Sequence, residues 1–205
     1  MEKLITFLKI YTGYIKLFPH LMIYASSKHK SLIQSDVQRW LQIREYKFSP
    51  VQGLIFLLQT YPEFRSIFYF RIGNIKYFIK WYCPPRRNMV IGTETIDGGF
   101  YIHLGYSSVI GAKSIGKNCL IYQQVTIGSF NGAPIIKDNV TISSGAVILG
   151  NITIGNNVSI GANATVLKNI PDNTTVFPSK ASMMKWKLSK KPVFSDTSTA
   201  SAAGL

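Results

Sequence analysis

The spacing of apolar positions changes period once along the chain. Through the first eighty residues it follows the 3.6-residue period of helices. Leu4, Phe7, Leu8, Tyr11, Tyr14, Ile15 and Phe18 fall on one helical face, with Lys9 and Lys16 opposite. Pro19 is expected to close this helix near Phe18, because the residue before a proline is pushed out of the helical region. A second helix is predicted from Ser35 toward Tyr46. Ser49-Pro50 combines an N-cap side chain with proline at the first helical position and opens a third helix through Gln59, and Pro62-Glu63 opens a fourth toward Gly73.

After Pro84-Pro85 the period becomes six. Ile136, Ile142, Ile148, Ile154, Ile160 and Val166 form an unbroken series. Four residues after each comes a second small or aliphatic residue: Val140, Ala146, Ile152, Val158, Ala164 and Ile170. Ile115, Ile121 and Ile127 carry the spacing upstream, with Cys119 and Val125 at the same offset, and Ser129 to Ile135 interrupts the register. Such a pattern predicts a β solenoid in which each hexad makes one short strand and one corner and three hexads close a triangular coil. Ile136 then lies under Ile154, Ile142 under Ile160 and Ile148 under Val166, about 4.8 Å apart. Glycines 116, 128, 155 and 161 follow inward isoleucines, where the chain turns closely. Cys119 falls on an inward position and reads as core.

Composition adds a partner question. The 205 residues are 46% hydrophobic and carry 23 Lys and Arg against 9 Asp and Glu, a net charge of +14. Residues 1–90 hold 14 of the basic and 4 of the acidic side chains. Charge of this sign raises nucleic acid, anionic membranes and anionic ligands alike. No recognition module for nucleic acid is present, so none is expected as a partner. Two cysteines outside any C-x-x-C pair argue against a disulfide framework or a zinc site, and no metal is expected. The longest charge-free run near the N-terminus, Leu17 to Ser27, is far below the roughly 20 residues of a membrane span, and no secretory signal pattern is seen, so a cytoplasmic location is expected. The helix at 2–18, apolar on one side and lysine-bearing on the other, suits peripheral contact with the inner face of a membrane as well as packing against other helices. The expected organisation is a helical region over 1–83, a coil over 84–181, and a basic tail over 182–205 that lacks any periodicity and is expected to be mobile.

Three runs carry a family resemblance: GGFYIHLGYSSVIG (98–111), SIGKNCLIYQQVTIG (114–128) and NVTISSGAVILGNITIGNNVSIGANATVLKNIPDN (139–173). They resemble the hexapeptide-repeat acyltransferases, in the branch of serine acetyltransferases and of sugar O-acetyltransferases of capsule and lipopolysaccharide clusters. The resemblance implies a left-handed parallel β-helix, a homotrimer, and acetyl-CoA as co-substrate in the groove between neighbouring subunits. It also implies that Ser144, Ala162 and Lys168 contact CoA and that Lys180, after the last coil, meets its phosphates. Solvated lysines on a coil face are the plain alternative for Lys168 and Lys180.

Acetyl transfer from a thioester to a hydroxyl needs a base to take the hydroxyl proton, and histidine is suited to it near neutral pH. The chain holds His20, His29 and His103, of which only His103 lies in the repeat. Alignment with the family places its catalytic histidine at Leu104, one position later, and on an extended chain one position changes the side to which a residue points. Either the segment Leu104 to Ser108 slips by one and returns His103 to the groove as the base, or the site is altered. Serine-specific relatives also carry an aspartate where Met89 or its neighbours stand, and a basic pair where SFNGAP (129–134) has none. Those departures favour a hydroxyl on a surface polysaccharide sugar or its precursor, with Tyr101, Tyr106, Tyr122 and Phe130 as candidate stacking surfaces, for which ordinary packing is the plain and more frequent alternative. Serine O-acetylation is the alternative, and a catalytically silent CoA-binding trimeric scaffold is the alternative of a different class.

Overall fold

Helices α1 (Glu2–Lys16), α2 (Phe18–Ser26), α3 (Lys30–Ile43), α4 (Pro50–Thr60), α5 (Pro62–Ile72) and the single turn α6 (Lys76–Ile79) precede a coil of short parallel strands. The computed structural model describes the backbone of residues 2–178 and the side chains of residues 9–178. The tail over 182–205 and Lys180 lie outside the described residues.

Proline placement explains most of the helix boundaries. Ser49 caps α4 through a capping box with Gln52, as the Ser-Pro pair predicts. Pro19 does more than end α1: it stands in the first turn of α2, where its missing N–H has no intrahelical partner to lose. The segment that the apolar pattern leaves unassigned is therefore a second helix. Likewise α3 begins at Lys30 instead of Ser35, and the added turn brings Ile33 onto the buried face with Val37, Trp40 and Leu41. The largest departure concerns α1. Ile10, Gly13 and Leu17 face the protein, while Tyr14, Ile15 and Phe18 of the predicted apolar face are exposed. Gly13 decides this orientation, because α1 lies so close to α4 that a Cβ there would collide with the Ile55 and Gln59 side chains. Gln59 Nε2 also donates to the Lys9 carbonyl at 2.8 Å.

The coil has three faces. Sheet 1 runs β1 (Met89–Ile91), β4 (Ser108–Ile110), β7 (Thr126–Gly128), β10 (Val147–Leu149) and β13 (Thr165–Val166). Sheet 2 runs β2 (Thr95–Ile96), β5 (Ser114–Ile115), β8 (Ile135–Ile136) and β11 (Thr153–Ile154), and sheet 3 runs β3 (Tyr101–Ile102), β6 (Leu120–Ile121), β9 (Thr141–Ile142), β12 (Ser159–Ile160) and β14 (Thr175–Val176). Every pairing is parallel, and the register stacks Ile136 on Ile154, Ile142 on Ile160 and Ile148 on Val166. Cys119 is fully buried, and burial pushes its thiol up to about 12, so it is an inert core residue.

The corners show how the hexad works. Asn118, Asn139, Asn157 and Asn173 take φ near +56° where sheet 2 passes into sheet 3 (φ 57, 57, 55 and 56). Asparagine tolerates this left-handed backbone, and its amide bonds to the next layer: Asn139 Nδ2 donates to Asn157 Oδ1 at 3.0 Å, and Asn157 Nδ2 to Asn173 Oδ1 at 2.9 Å. Glycine answers a different demand at Gly116 and Gly155, where a Cβ would press on backbone atoms of the layer above.

Layers differ in length. Ile91, Ile110, Ile127, Ile148 and Val166 are stacked partners, so successive turns take 19, 17, 21 and 18 residues. The excess sits at two corners. Ile102 to Ile110 is two residues longer than a hexad, and Ile127 to Ile136 is three longer.

A buried ion pair fastens the helices to the first turn. Arg71 Nε donates to Asp36 Oδ2 at 2.9 Å and Arg71 Nη2 to Asp36 Oδ1 at 3.2 Å. The Phe100 amide also donates to Asp36 Oδ1, at 2.8 Å, and Arg71 reaches the Ile96 and Asp97 carbonyls. Beside it Trp40 Nε1 donates to the Phe100 carbonyl at 3.0 Å, and the Trp40 ring packs on Phe64 and Tyr101.

Candidate functional site

The corner between Ile102 and Ile110 is one of the two places where the chain departs from its own repeat, and the helical region delivers charged groups there. Register holds through His103, whose amide donates to the Ile121 carbonyl at 2.8 Å. Tyr101 and His103 therefore share the outer side of sheet 3 while Ile102 points into the core, as strand alternation requires. The two extra residues are taken up after His103, by left-handed backbone at Leu104 (φ 63), Gly105 (φ 62) and Ser107 (φ 50). Both extra residues thus fall within the segment Leu104 to Ser108, and the pairing up to His103 is kept. Leu104 stands on the turn itself, 37% exposed.

The half-buried His103 ring packs against Tyr122 of the next layer, with centroids 5.0 Å apart. Its Nδ1 is buried and has no hydrogen-bond partner, and neither has Gln123 Oε1, one layer up at the same corner. Both atoms are enclosed, so what the corner offers a bound molecule is the remaining face of the half-buried His103 ring. Above them the corner is lined by Ser144 and then Ala162: the Asn163 amide donates to the Ser144 carbonyl at 2.9 Å, and the Gly145 amide to the Gln123 carbonyl at 3.2 Å. Ser144 is half-buried and Ala162 exposed, which leaves a small-residue lane up the corner from His103.

Of the candidate residues, then, His103, Ser144 and Ala162 share one corner. Lys168 does not share it. It is exposed at the next corner, after β13 on the far side of sheet 1, level with the upper coils. The proposed aromatic surface is divided as well. Tyr101 is buried, and its hydroxyl accepts from Arg44 Nε at 2.8 Å. Tyr106 lies under the Arg86 guanidinium at 4.2 Å, and exposed Phe130 sits on the other long corner.

Three residues from outside the repeat pack on the neighbours of His103, at Tyr101, Gly105 and Tyr106, and escape sequence inspection. Glu63, buried at the start of α5, pairs with Arg86 at 2.8 Å, and a Cβ on Gly105 would approach the Glu63 side chain. Arg44, from the end of α3, bonds Tyr101 and lies over the Tyr61 ring at 4.8 Å. Burial pushes the Tyr101 hydroxyl above its ordinary range, Arg44 opposes that, and the nearby Glu63 carboxylate and Tyr122 add to it. The only local signal was the PEFR segment opening α5, whose Glu63 gains meaning once the corner packs on it.

Fold and repeat together define a parallel β-helix of the hexapeptide class. The family model described as bacterial transferase hexapeptide (six repeats) matches residues 133–168. Serine acetyltransferase of Helicobacter pylori is 33% identical over 141 residues, spanning 61% of this chain and 82% of that protein. The chain belongs to the hexapeptide-repeat transferase family, and its relatives there are serine acetyltransferases. The serine acetyltransferase of Synechococcus elongatus is 36% identical over 136 residues, 58% of this chain and 56% of that one. This chain thus spans little more than half of that relative's length, and 63% of the Bacillus subtilis enzyme's. Among solved structures, serine acetyltransferase isoform 3 of Entamoeba histolytica in complex with cysteine superposes with a TM-score of 0.60 at 29% identity, covering 87% of this chain and 66% of that one. The coil with its helical preface is accordingly a left-handed β-helix of about five turns.

Proposed function

We propose that the chain is an acetyl-CoA-dependent O-acetyltransferase, with free serine as the acceptor its relatives point to. The observation that carries the chemistry is the corner itself. A half-buried histidine stands at the foot of a corner lined by Ser144 and Ala162, in a fold shared with acetyltransferases. In this reading the acceptor hydroxyl oxygen attacks the thioester carbonyl while His103 takes its proton. The tetrahedral adduct then expels CoA as thiolate, which recovers that proton from the imidazolium. Neither a covalent enzyme intermediate nor a metal enters the step. The thioester belongs beside Ser144 and Ala162, and Lys168 and Lys180 are the cations for the CoA phosphates. Lys168 lies across sheet 1 from that lane, so the reading calls for CoA to span a coil face in the groove of a homotrimer.

A second reading, acetylation of a sugar hydroxyl on a polysaccharide or its precursor, is favoured by one observation. The long corner from Gly128 to Pro134 carries no cation to hold an amino-acid carboxylate. A CoA-binding scaffold without turnover is favoured by Leu104 standing on the turn beside His103. One assay separates the three: CoA release from acetyl-CoA with serine, simple sugars or nucleotide sugars, on the native chain, His103→Ala and Leu104→His. Serine-dependent release that falls about 100-fold or more in His103→Ala, with CoA binding kept, is the expected result. Release only with a sugar replaces the acceptor. Release that is indifferent to His103 overturns the base assignment. CoA binding without release, converted to turnover by Leu104→His, establishes the silent scaffold.

A further inference from the structure

The face that α1 turns away from the protein is continuous with a second exposed apolar segment far along the chain. Ile15 and Phe18 at the α1–α2 junction are 85% and 60% exposed, and Phe78 and Trp81, in and just after α6, are 80% and 78% exposed. A shallow hollow lined by Ile15, Lys16, Pro19, Phe78, Trp81 and Tyr82 joins them, and the Tyr82 hydroxyl locks the two segments together by donating to the Lys16 carbonyl at 2.6 Å. A neighbouring hollow continues the surface past Phe18 to Met22, which is also exposed. Scattered apolar residues are ordinary on a protein surface, but a contiguous aromatic face of this kind marks an interface.

The charges around it select the partner. Residues 9–35 hold four lysines and no carboxylate, and residues 64–93 hold six basic side chains and no carboxylate. Lys16, Lys76 and Lys80 border the aromatic residues, with Lys16 near the Tyr82 ring at 6.0 Å and Lys80 over the Tyr77 ring at 4.3 Å. A second copy of the same face would set lysine against lysine, which costs energy at an interface. An anionic lipid surface meets both parts of the pattern: Trp, Phe and Ile enter the headgroup boundary and lysines remain at the phosphates. Among the described residues no helix is long and apolar enough to cross a membrane, so the contact is one of lying on the surface.

We infer that the surface formed by the α1–α2 junction and the α6 segment docks the protein on an anionic membrane. The proposal is independent of the acceptor and of the acetyl-transfer reading. It is tested on the full chain with vesicles of phosphatidylcholine mixed equally with phosphatidylglycerol, against vesicles of phosphatidylcholine alone. Expected are co-sedimentation with the mixed vesicles only and binding weakened about 10-fold or more in the Phe78→Ser/Trp81→Ser double variant. Brominated lipid should also quench tryptophan emission in a way that Trp81→Phe removes. Both exchanged residues are exposed, and unchanged circular dichroism shows that the variants fold. Three results overturn the inference: no sedimentation with the mixed vesicles; sedimentation unaffected by the double variant, which would assign binding to cations elsewhere; or a smaller assembly of the double variant without lipid in sedimentation velocity, which would make the face a contact between copies.

Discussion

Asp36→Ala tests how the helical region and the coil are joined. In the folded protein Asp36 accepts two bonds from Arg71 and one from the Phe100 amide, and the pair is almost wholly buried, with 2% of each side chain exposed. Removing the carboxylate leaves the guanidinium buried against the Ile96 and Asp97 carbonyls without a countercharge, and the Phe100 amide without an acceptor. Breaking one side of a buried pair costs about 3–5 kcal/mol, and an orphaned amide about 1–3 kcal/mol. Both losses fall on one network, so they do not add, and about 3–5 kcal/mol is expected for the variant. At roughly 2–4 °C per kcal/mol in a chain of this size, the midpoint should fall by about 6–20 °C. The assay is thermal unfolding followed by circular dichroism, with urea unfolding for the free energy. Much of the penalty is the uncompensated charge, so Asp36→Ala/Arg71→Met should recover about half of it. A single-variant loss under about 1 kcal/mol, or a double variant as unstable as the two single losses combined, would refute the reasoning.

Two further outcomes follow from the same physics. His20 is fully buried and bonded through Nε2 to the Tyr69 hydroxyl at 2.9 Å, which itself donates to the Cys83 carbonyl. The hydroxyl proton is committed to Cys83, so Nε2 carries the hydrogen and the unpartnered Nδ1 is the site that would take a proton. Burial first, and Arg65 second, lower this histidine to about 4. Between about 6.5 and 4 the unfolded chain binds the proton and the folded one does not, so stability is full above that window and declines by about 3 kcal/mol on crossing it downward. Urea titrations from pH 7 to pH 4 should show the decline, and His20→Phe should flatten it. At the corners, Asn157→Val forces a β-branched residue into φ 55 and breaks the amide ladder to Asn139 and Asn173, an expected loss of about 2 kcal/mol in urea unfolding; an unchanged midpoint would show that the ladder contributes nothing.

The division between what pattern shows and what packing decides is sharp in this chain. The hexad with its isoleucine and offset small residue suits a three-sided coil, because each period of six sets an inward isoleucine on the next face and three periods return to the first. Stacking of Ile136, Ile142 and Ile148 under their partners was therefore legible from spacing alone. So were the Ser49 cap and the inward Cys119, both set by neighbours within one repeat or one turn. The orientation of α1 was not legible, because seven apolar positions suggested one face while a single glycine let a different one approach α4. Nor was the company of His103. Its strand and register follow from the repeat, but Arg44, Glu63 and Arg86 come from segments 17 to 59 residues away in sequence, brought in by the burial of Asp36, Arg71 and Trp40 against the first turn. Sequence alone determined the coil because every layer repeats the same local contacts. The corner that sets this protein apart depends on contacts made once, between a helical region and a coil that share no period.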